Sequence, residues 1–274
     1  MLTRPDAPRL AVLDWVLPEV DGVELCRRLR GRPENEPYTY TILLTGKSQK
    51  QEMLEAMDAG ADDFLAKPFD PPELKARLLV GKRIVELQQK LVSANSALYY
   101  AASHDFLTNV WNRAAIIAFL QREVARSLRE ATALGVILVD VDHFKKVNDE
   151  LGHETGDCVL QEIAKRFCAS LREYDGVGRY GGEEFLLVMP GCDLTTTVRR
   201  ANVIRELTSS KPIQTPLGTT TVTVSMGIAA TEACMDSQSL LRRADKALYQ
   251  AKSNGRNRVE EATVATDGEV VGQH

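Results

Sequence analysis

Over residues 9–70, short apolar runs alternate with stretches of helical periodicity. Residues 9–14 read as a buried strand closing on Asp14, and Asp21 with Gly22 opens a helix through Arg30. Residues 40–45 form a second apolar strand ending at Thr45. Residues 49–59 are helical, and residues 63–66 form a third strand closed by Lys67 and Pro68. Alternation of this kind predicts a parallel sheet. Ligands bind such sheets at the carboxyl ends of the strands, where Asp14, Thr45 and Lys67 fall.

From Pro72 the pattern becomes one long helix interrupted only by Gly81. Ile84, Leu87, Leu91, Ala94, Leu98 and Ala101 recur at spacings of three and four, the seam of a coiled coil. A lone helix could lay this stripe on its own domain, but its position between two domains favours a parallel dimer. Beyond it, residues 113–130 are helical, 134–141 an apolar strand, 156–171 a long helix and 177–189 a hairpin. A helix near 194–208, a β-branched strand over 219–228 and a helix over 238–253 follow. This half predicts an α+β layer with helices on an antiparallel-rich sheet. Residues 263–274 have little apolar content and are expected to be disordered.

Composition narrows the functional classes. The chain has 274 residues, 44% hydrophobic and 26% charged, which suits two globular domains. Five cysteines without a CxxC pair suggest neither a disulfide framework nor a zinc site. No apolar run approaches a membrane span and no signal peptide opens the chain, so a cytoplasmic protein without a membrane anchor is expected. A net charge of −4 offers no basic field for nucleic acid. An anionic ligand would need local cations or metal.

Candidate chemistry centres on Gly181, Gly182, Glu183, Glu184 and Phe185, two carboxylates on a two-glycine turn. The flanking strands imply a tight hairpin in which glycine supplies φ > 0. Upstream, Asp140 ends the buried strand, with Asp142 two residues on and able to point to the same side. Asp140 with Glu183 makes a hard, oxygen-only donor set suited to Mg²⁺ or Mn²⁺, the remaining ligands being waters and substrate phosphates. His143, Phe144 and Lys145 begin a helix whose free N–H groups favour a phosphate, with Lys145 adding a charge. Asn148 and Asp157 offer an amide and a carboxylate suited to the guanine edge. Lys252 and Arg256, flanking Asn254 and Gly255, form a second basic clamp. Each alone could be a cap or a solvated charge; the set is harder to explain so.

These residues resemble the GGDEF diguanylate cyclases over about residues 104–262. The likeness includes Asp105, Leu107, Thr108, Asn112 and Arg113; Asp140, Asp142, Phe144, Lys145, Asn148 and Asp149; Gly152, His153, Gly156 and Asp157. It continues through Gly181 to Phe185 and through the stretch from Ala244 to Arg258. The resemblance implies a palm-like nucleotidyl cyclase fold in which Asp140, the Val141 carbonyl and Glu183 hold Mg²⁺. Asn148 and Asp157 would hold guanine; His143, Phe144, Lys145, Lys252 and Arg256 the triphosphate. Family members condense two GTP into cyclic di-GMP with release of pyrophosphate, each domain of a homodimer holding one GTP. Glu183, Asp140 and Lys145 are then the expected catalytic residues, and Glu184 is expected to be structural. Arg172 and Asp175 are similar to the RxxD site at which the family's product inhibits. Asn109 stands where the family often has glycine, a residue that tolerates the left-handed region.

Asp14, Thr45, Phe64, Lys67 and Pro68 resemble a response-regulator receiver, a partial flavodoxin-like fold over residues 1–72, with Asp14 as phosphoacceptor and Thr45 and Lys67 as its partners. Residues 73–103 then form the coiled-coil linker between the two domains. Only thirteen residues precede Asp14, so about fifty residues of a full receiver are expected to be missing. The Asp14 strand is expected to be a raw edge, poorly phosphorylated by any partner histidine kinase. A catalytically silent module that binds GTP or cyclic di-GMP is the alternative to an active cyclase; the presence of both Asp140 and Glu183 favours the enzyme.

Overall fold

A computed structural model describes residues 7–18, 20–33, 36–46, 50–231 and 236–262, with backbone only for 50–53. The expected disorder of residues 263–274 lies outside the described residues. The chain forms two compact units, residues 1–98 and 99–274.

In the first unit, β1 (Leu10–Asp14), β2 (Tyr40–Thr45) and β3 (Asp63–Ala66) make a parallel sheet in the order β1-β2-β3. The strands alternate with α1 (Gly22–Arg30) and α2 (Lys50–Asp58), as the pattern predicts. Among the described residues β1 pairs only with β2 and is an edge. Asp21 caps α1 by accepting from the Val23 N–H. The start of α3 (Pro71–Ser103) covers one sheet face, Val85 packing with Tyr40, Ile42 and Leu65. Further along α3, Leu87, Leu91 and Leu98 are exposed, so the predicted seam is uncovered on the single chain.

The second unit is a five-stranded sheet in the order β10-β9-β4-β6-β5, composed of β4 (Leu134–Val141), β5 (Gly176–Arg179), β6 (Glu184–Pro190), β9 (Val224–Ala230) and β10 (Val259–Glu261). Only β10 runs parallel to its neighbour β9. Strand β4 is buried at every position because both faces are covered. Its odd-numbered residues Ile137, Val139 and Val141 join Phe185 and Leu187 against α6 (His153–Ser170) and α7 (Leu194–Ser210). Its even-numbered Val136 and Leu138 join Leu186 and Val188 against α4 (Arg113–Glu130) and α8 (Ser237–Ser253). This period of two puts Asp140 in phase with the α4 and α8 side.

The β-branched run expected as one strand over 219–228 is divided. β8 (Gly218–Thr220) pairs with β7 (Ile213–Thr215) in a separate hairpin, and only from Val224 does the chain join the main sheet. The hairpin reverses at Gly218, φ +120°, a conformation glycine adopts without a Cβ penalty, and pairing with β7 holds residues 218–220 out of the main sheet, leaving 221–223 as the connection. The helix expected at 156–171 begins earlier, at His153, preceded by the short helix α5 (Phe144–Leu151).

Candidate active site

Strand β4 delivers Asp140 to the rim of the sheet with a side chain 12% exposed, and the Lys252 ammonium from the last turn of α8 lies 2.6 Å from its Oδ2. Burial pushes the Asp140 carboxyl above the usual carboxylate range. Lys252 pulls it back down, while Glu183 and Asp142 add to the rise. Glu184, opposite Asp140 in the β4–β6 register, is also raised, first by burial and then by the Asp140 charge. A buried carboxylate beside others gains from a cation. The carboxylates of Asp140 and Glu183 with the Val141 carbonyl are a hard oxygen donor set that fits a divalent ion. No group of three His, Cys, Asp or Glu side chains that could hold a metal occurs among the described residues, so these two carboxylates would not by themselves complete a metal's shell.

The signature turn, Tyr180 to Glu183, joins β5 to β6, with Tyr180 and Gly181 donating to the Glu184 carbonyl at 2.8 and 3.2 Å. Glu183 comes beside the β4 end because the Val141 N–H donates to its carbonyl at 3.3 Å. The expectation that the two glycines supply φ > 0 is corrected: neither has positive φ. Space is what they supply instead. A Cβ on Gly181 would lie 2.7 Å from Glu184 Oε2, and one on Gly182 would stand in open space, where a nucleotide can approach.

Two residues before the glycines, Arg179 donates from Nε and Nη2 to the Gly182 carbonyl at 3.0 and 2.7 Å. Its Nη1 reaches the Asp105 carboxylate at 3.1 Å, and Arg113 stacks its cation 4.6 Å over the Tyr180 ring. Asp105 in the loop after α3 and Arg113 at the start of α4 thus grip the two residues that precede the glycines. Sequence reading missed Arg179; an arginine abutting a glycine turn was the available signal, while its partner Asp105 lies 74 positions upstream.

On the other side of β4, His143 is left-handed at φ +57° and no side chain caps α5, which leaves that helix start open to an anion. Lys145 is exposed there. Asn148 lies against Gly156, where a Cβ would collide with its amide, so α5 and α6 close together with Asp157 exposed beside them. Arg256, exposed and left-handed at φ +62°, follows α8. Asp142 does not join Asp140 at the rim: 4% exposed, it accepts from the Thr223 and Ser225 hydroxyls.

The RxxD residues are unequal. Arg172 is exposed and donates to the Tyr174 hydroxyl at 2.7 Å. The Asp175 side chain is fully buried, and its Oδ2 accepts from Arg200 at 2.6 Å and from the Arg172 N–H at 2.8 Å, while Oδ1 has no donor among the described residues. In the first unit the strand ends converge as expected. Lys67 contacts Asp14 and holds its carboxyl below the usual range, and the Lys67 N–H donates to the Thr45 carbonyl at 2.7 Å.

With this geometry in view, the family model described as diguanylate cyclase, GGDEF domain, matches residues 102–258. The chain belongs to the GGDEF diguanylate cyclase family. The response regulator receiver domain model matches residues 2–79 of this GGDEF protein. It is similar to the response regulator PleD of Caulobacter vibrioides, 34% identical over 256 residues that take in 91% of this chain and 56% of that protein. The chain therefore spans a little over half the length of that curated relative. Among solved structures, the coiled coil and GGDEF domain of DgcB from Caulobacter crescentus, in complex with c-di-GMP, is 32% identical with a TM-score of 0.63, covering 69% of this chain and 99% of that one. The active GGEEF domain of a diguanylate cyclase from Vibrio cholerae is 33% identical with a TM-score of 0.53, covering 56% and 98%. No helix among the described residues is long and apolar enough to cross a membrane.

Proposed function

We propose that this protein condenses two GTP into cyclic di-GMP and pyrophosphate as a homodimer. The observation that carries the reading is the buried Asp140 carboxylate, raised by desolvation, at the rim beside Glu183 and an open glycine turn. Asp140, Glu183 and the Val141 carbonyl would hold Mg²⁺ or Mn²⁺. When bound, that ion lowers the proton affinity of the ribose 3′-hydroxyl and offsets charge on the α-phosphoryl oxygens.

The protein's own residues do the rest. Asn148 donates its amide N–H to the guanine carbonyl edge and the Asp157 carboxylate accepts from the guanine N–H donors, fixing one base per domain. Lys145, Lys252 and Arg256 gather the triphosphate, with the open start of α5 at His143 and Phe144 beneath it. Lys252, which rests on Asp140, would be available to a phosphate if that carboxylate held a divalent ion. Glu183 accepts the 3′-hydroxyl proton as the oxygen attacks the α-phosphorus and pyrophosphate departs. Two such attacks close the ring, so two turns must face each other. The exposed Leu87, Leu91 and Leu98 seam of the 73–103 linker supports a parallel helix pair for that purpose.

Product inhibition at Arg172 and Asp175 is part of the reading. The exposed Arg172 suits a product phosphate, whereas Asp175, buried on Arg200, would have to turn outward to meet a guanine donor. For the first unit, Asp14, Thr45 and Lys67 read as a receiver site with weak phosphorylation. The deciding experiment is incubation with GTP and Mg²⁺, with Glu183→Ala as control. Cyclic di-GMP from the native chain alone is expected; a verified dimer that binds GTP and yields none would leave a binding module as the function.

A further inference from the structure

The turn that carries Arg256 has an unusual backbone. Gly255, Arg256 and Asn257 are consecutively left-handed, with φ of +108°, +62° and +45°; glycine and asparagine tolerate that region, but the Arg256 side chain disfavours it. Such a turn persists only where its surroundings hold it. Three contacts do so. The Arg256 N–H donates to the Ala251 carbonyl at 3.0 Å, and the Met226 N–H donates to the Arg258 carbonyl at 2.9 Å, fixing the two ends. At the centre, the Asn257 N–H donates to Asp142 Oδ2 at 3.0 Å, across 115 positions of sequence.

Asp142 is built for that task. It is 4% exposed; its own N–H donates to the Thr223 carbonyl at 2.9 Å, and Thr223 Oγ1 and Ser225 Oγ donate to its two oxygens at 2.6 Å each. With three donors converging on it, the carboxylate has little capacity left for a cation, although it stands two residues from Asp140. From the opposite side, Arg205 of α7 donates through Nη1 to the Asn257 carbonyl at 3.3 Å and to its Oδ1 at 2.9 Å. Asn257 is thus held between a buried anion below and a guanidinium above.

We infer that Asp142 is a positioning residue: it pins the Asn257 N–H so that the left-handed turn presents Arg256, and with it Lys252, to the triphosphate, and it does not ligate the metal. The inference rests on Arg256 and Lys252 being phosphate ligands, as proposed above. Its signature is a weakened grip on substrate with unchanged metal demand.

The test uses the full chain in four forms: native, Asp142→Ala, Asp142→Asn and Arg205→Ala. Amide hydrogen exchange over residues 254–258, without nucleotide or metal, reads the clamp directly. Steady-state cyclic di-GMP formation reads its consequence. Asp142→Ala should speed exchange in this segment about tenfold or more, and raise KM for GTP about tenfold while kcat and the Mg²⁺ concentration for half-activity move less than about threefold. Asp142→Asn keeps one acceptor oxygen and should restore most of both readouts. Arg205→Ala should shift both in the same direction by less, and stands in should Asp142→Ala fail to fold. Unchanged exchange in a folded Asp142→Ala protein overturns the inference. So does a rise in Mg²⁺ demand shared equally by the alanine and asparagine variants, the mark of a metal ligand. Accelerated exchange in a protein whose native form makes no cyclic di-GMP supports the clamp and counts against the cyclase reading alone.

Discussion

Both units place an aspartate at or next to the end of a strand and set a lysine on it: Asp14 with Lys67 in the first, Asp140 with Lys252 in the second. The same pair of groups behaves in opposite ways. The Asp14 side chain is 37% exposed, and its lysine holds the carboxyl below the usual range. That of Asp140 is 12% exposed, and burial outweighs a lysine 2.6 Å away, so its carboxyl is raised. The difference is made by the sheet around each. Strand β1 is an edge among the described residues, whereas β4 lies between β9 and β6 with helices on both faces. Desolvation costs an anion more than one cation returns, which leaves Asp140 in want of a second positive partner.

The strongest test of this contrast is a pair of isosteric changes. Asp140→Asn should lower cyclic di-GMP formation by at least about a hundredfold, since it removes a ligand and a charge from the reacting centre. The same change should raise the melting temperature of the metal-free protein by relieving a buried anion. Asp14→Asn should leave catalysis within about twofold and raise nothing. Equal effects of the two substitutions on melting would show that burial does not separate the sites.

A smaller effect separates ion pairs by what they hold. Arg179 and Asp105 are each 16% exposed at the side chain, and Arg179 also carries the Gly182 carbonyl. Arg179→Ala should cost about 2 kcal/mol in urea unfolding and lower kcat, because the Asp105 carboxylate keeps only its Thr108 donors and the signature-turn carbonyl of Gly182 loses the guanidinium. Arg77, 32% exposed and bonded to Asp63 and Glu73 in the first unit, should cost under about 1 kcal/mol when replaced by alanine. A reversed order would remove the case that the loop after α3 steadies the turn.

The smallest expected effect is the pH dependence. A carboxyl raised on folding binds its proton more tightly in the native state. The native chain therefore loses stability relative to Asp140→Asn as pH rises from the ordinary carboxylate value, about 4, through the raised one. The gap in melting temperature between the two proteins should widen over that window and shrink when Mg²⁺ is added. Asp14 has the opposite sign: its contribution is present above the ordinary value and fades as pH falls through the lowered one. Because Asp14 is exposed, Asp14→Asn should show only a faint trend.

Much of the fold was legible because apolar periodicity is a local property. The parallel strands of the first unit and the long α3 coincide with the runs that predict them, and β4 reads directly from its apolar residues. What escaped were short pieces without an apolar run, such as β7 and β10, which exist only because a partner strand supplies their hydrogen bonds. The site was legible as a set of residue types, from Asp140 and Glu183 to Lys252 and Arg256. The turn glycines were read for the wrong property: neither has positive φ, the space at Gly181 is bounded by the Glu184 side chain folded back from β6, and that at Gly182 is open.

The sequence by itself determined the strand phase, the family signature and which residues carry charge. Tertiary structure alone decided how that charge is spent. Asp140 and Asp142 share a strand phase and a residue type. One meets a lysine at the rim and the other is closed over by two hydroxyls and a backbone N–H. Asp175, matched by its motif to a surface site, is turned inward onto Arg200. Spacing along the chain fixes only the direction in which a side chain leaves the backbone; its partners come from segments 25 to 115 residues away, and those partners set whether a carboxylate binds, positions or braces.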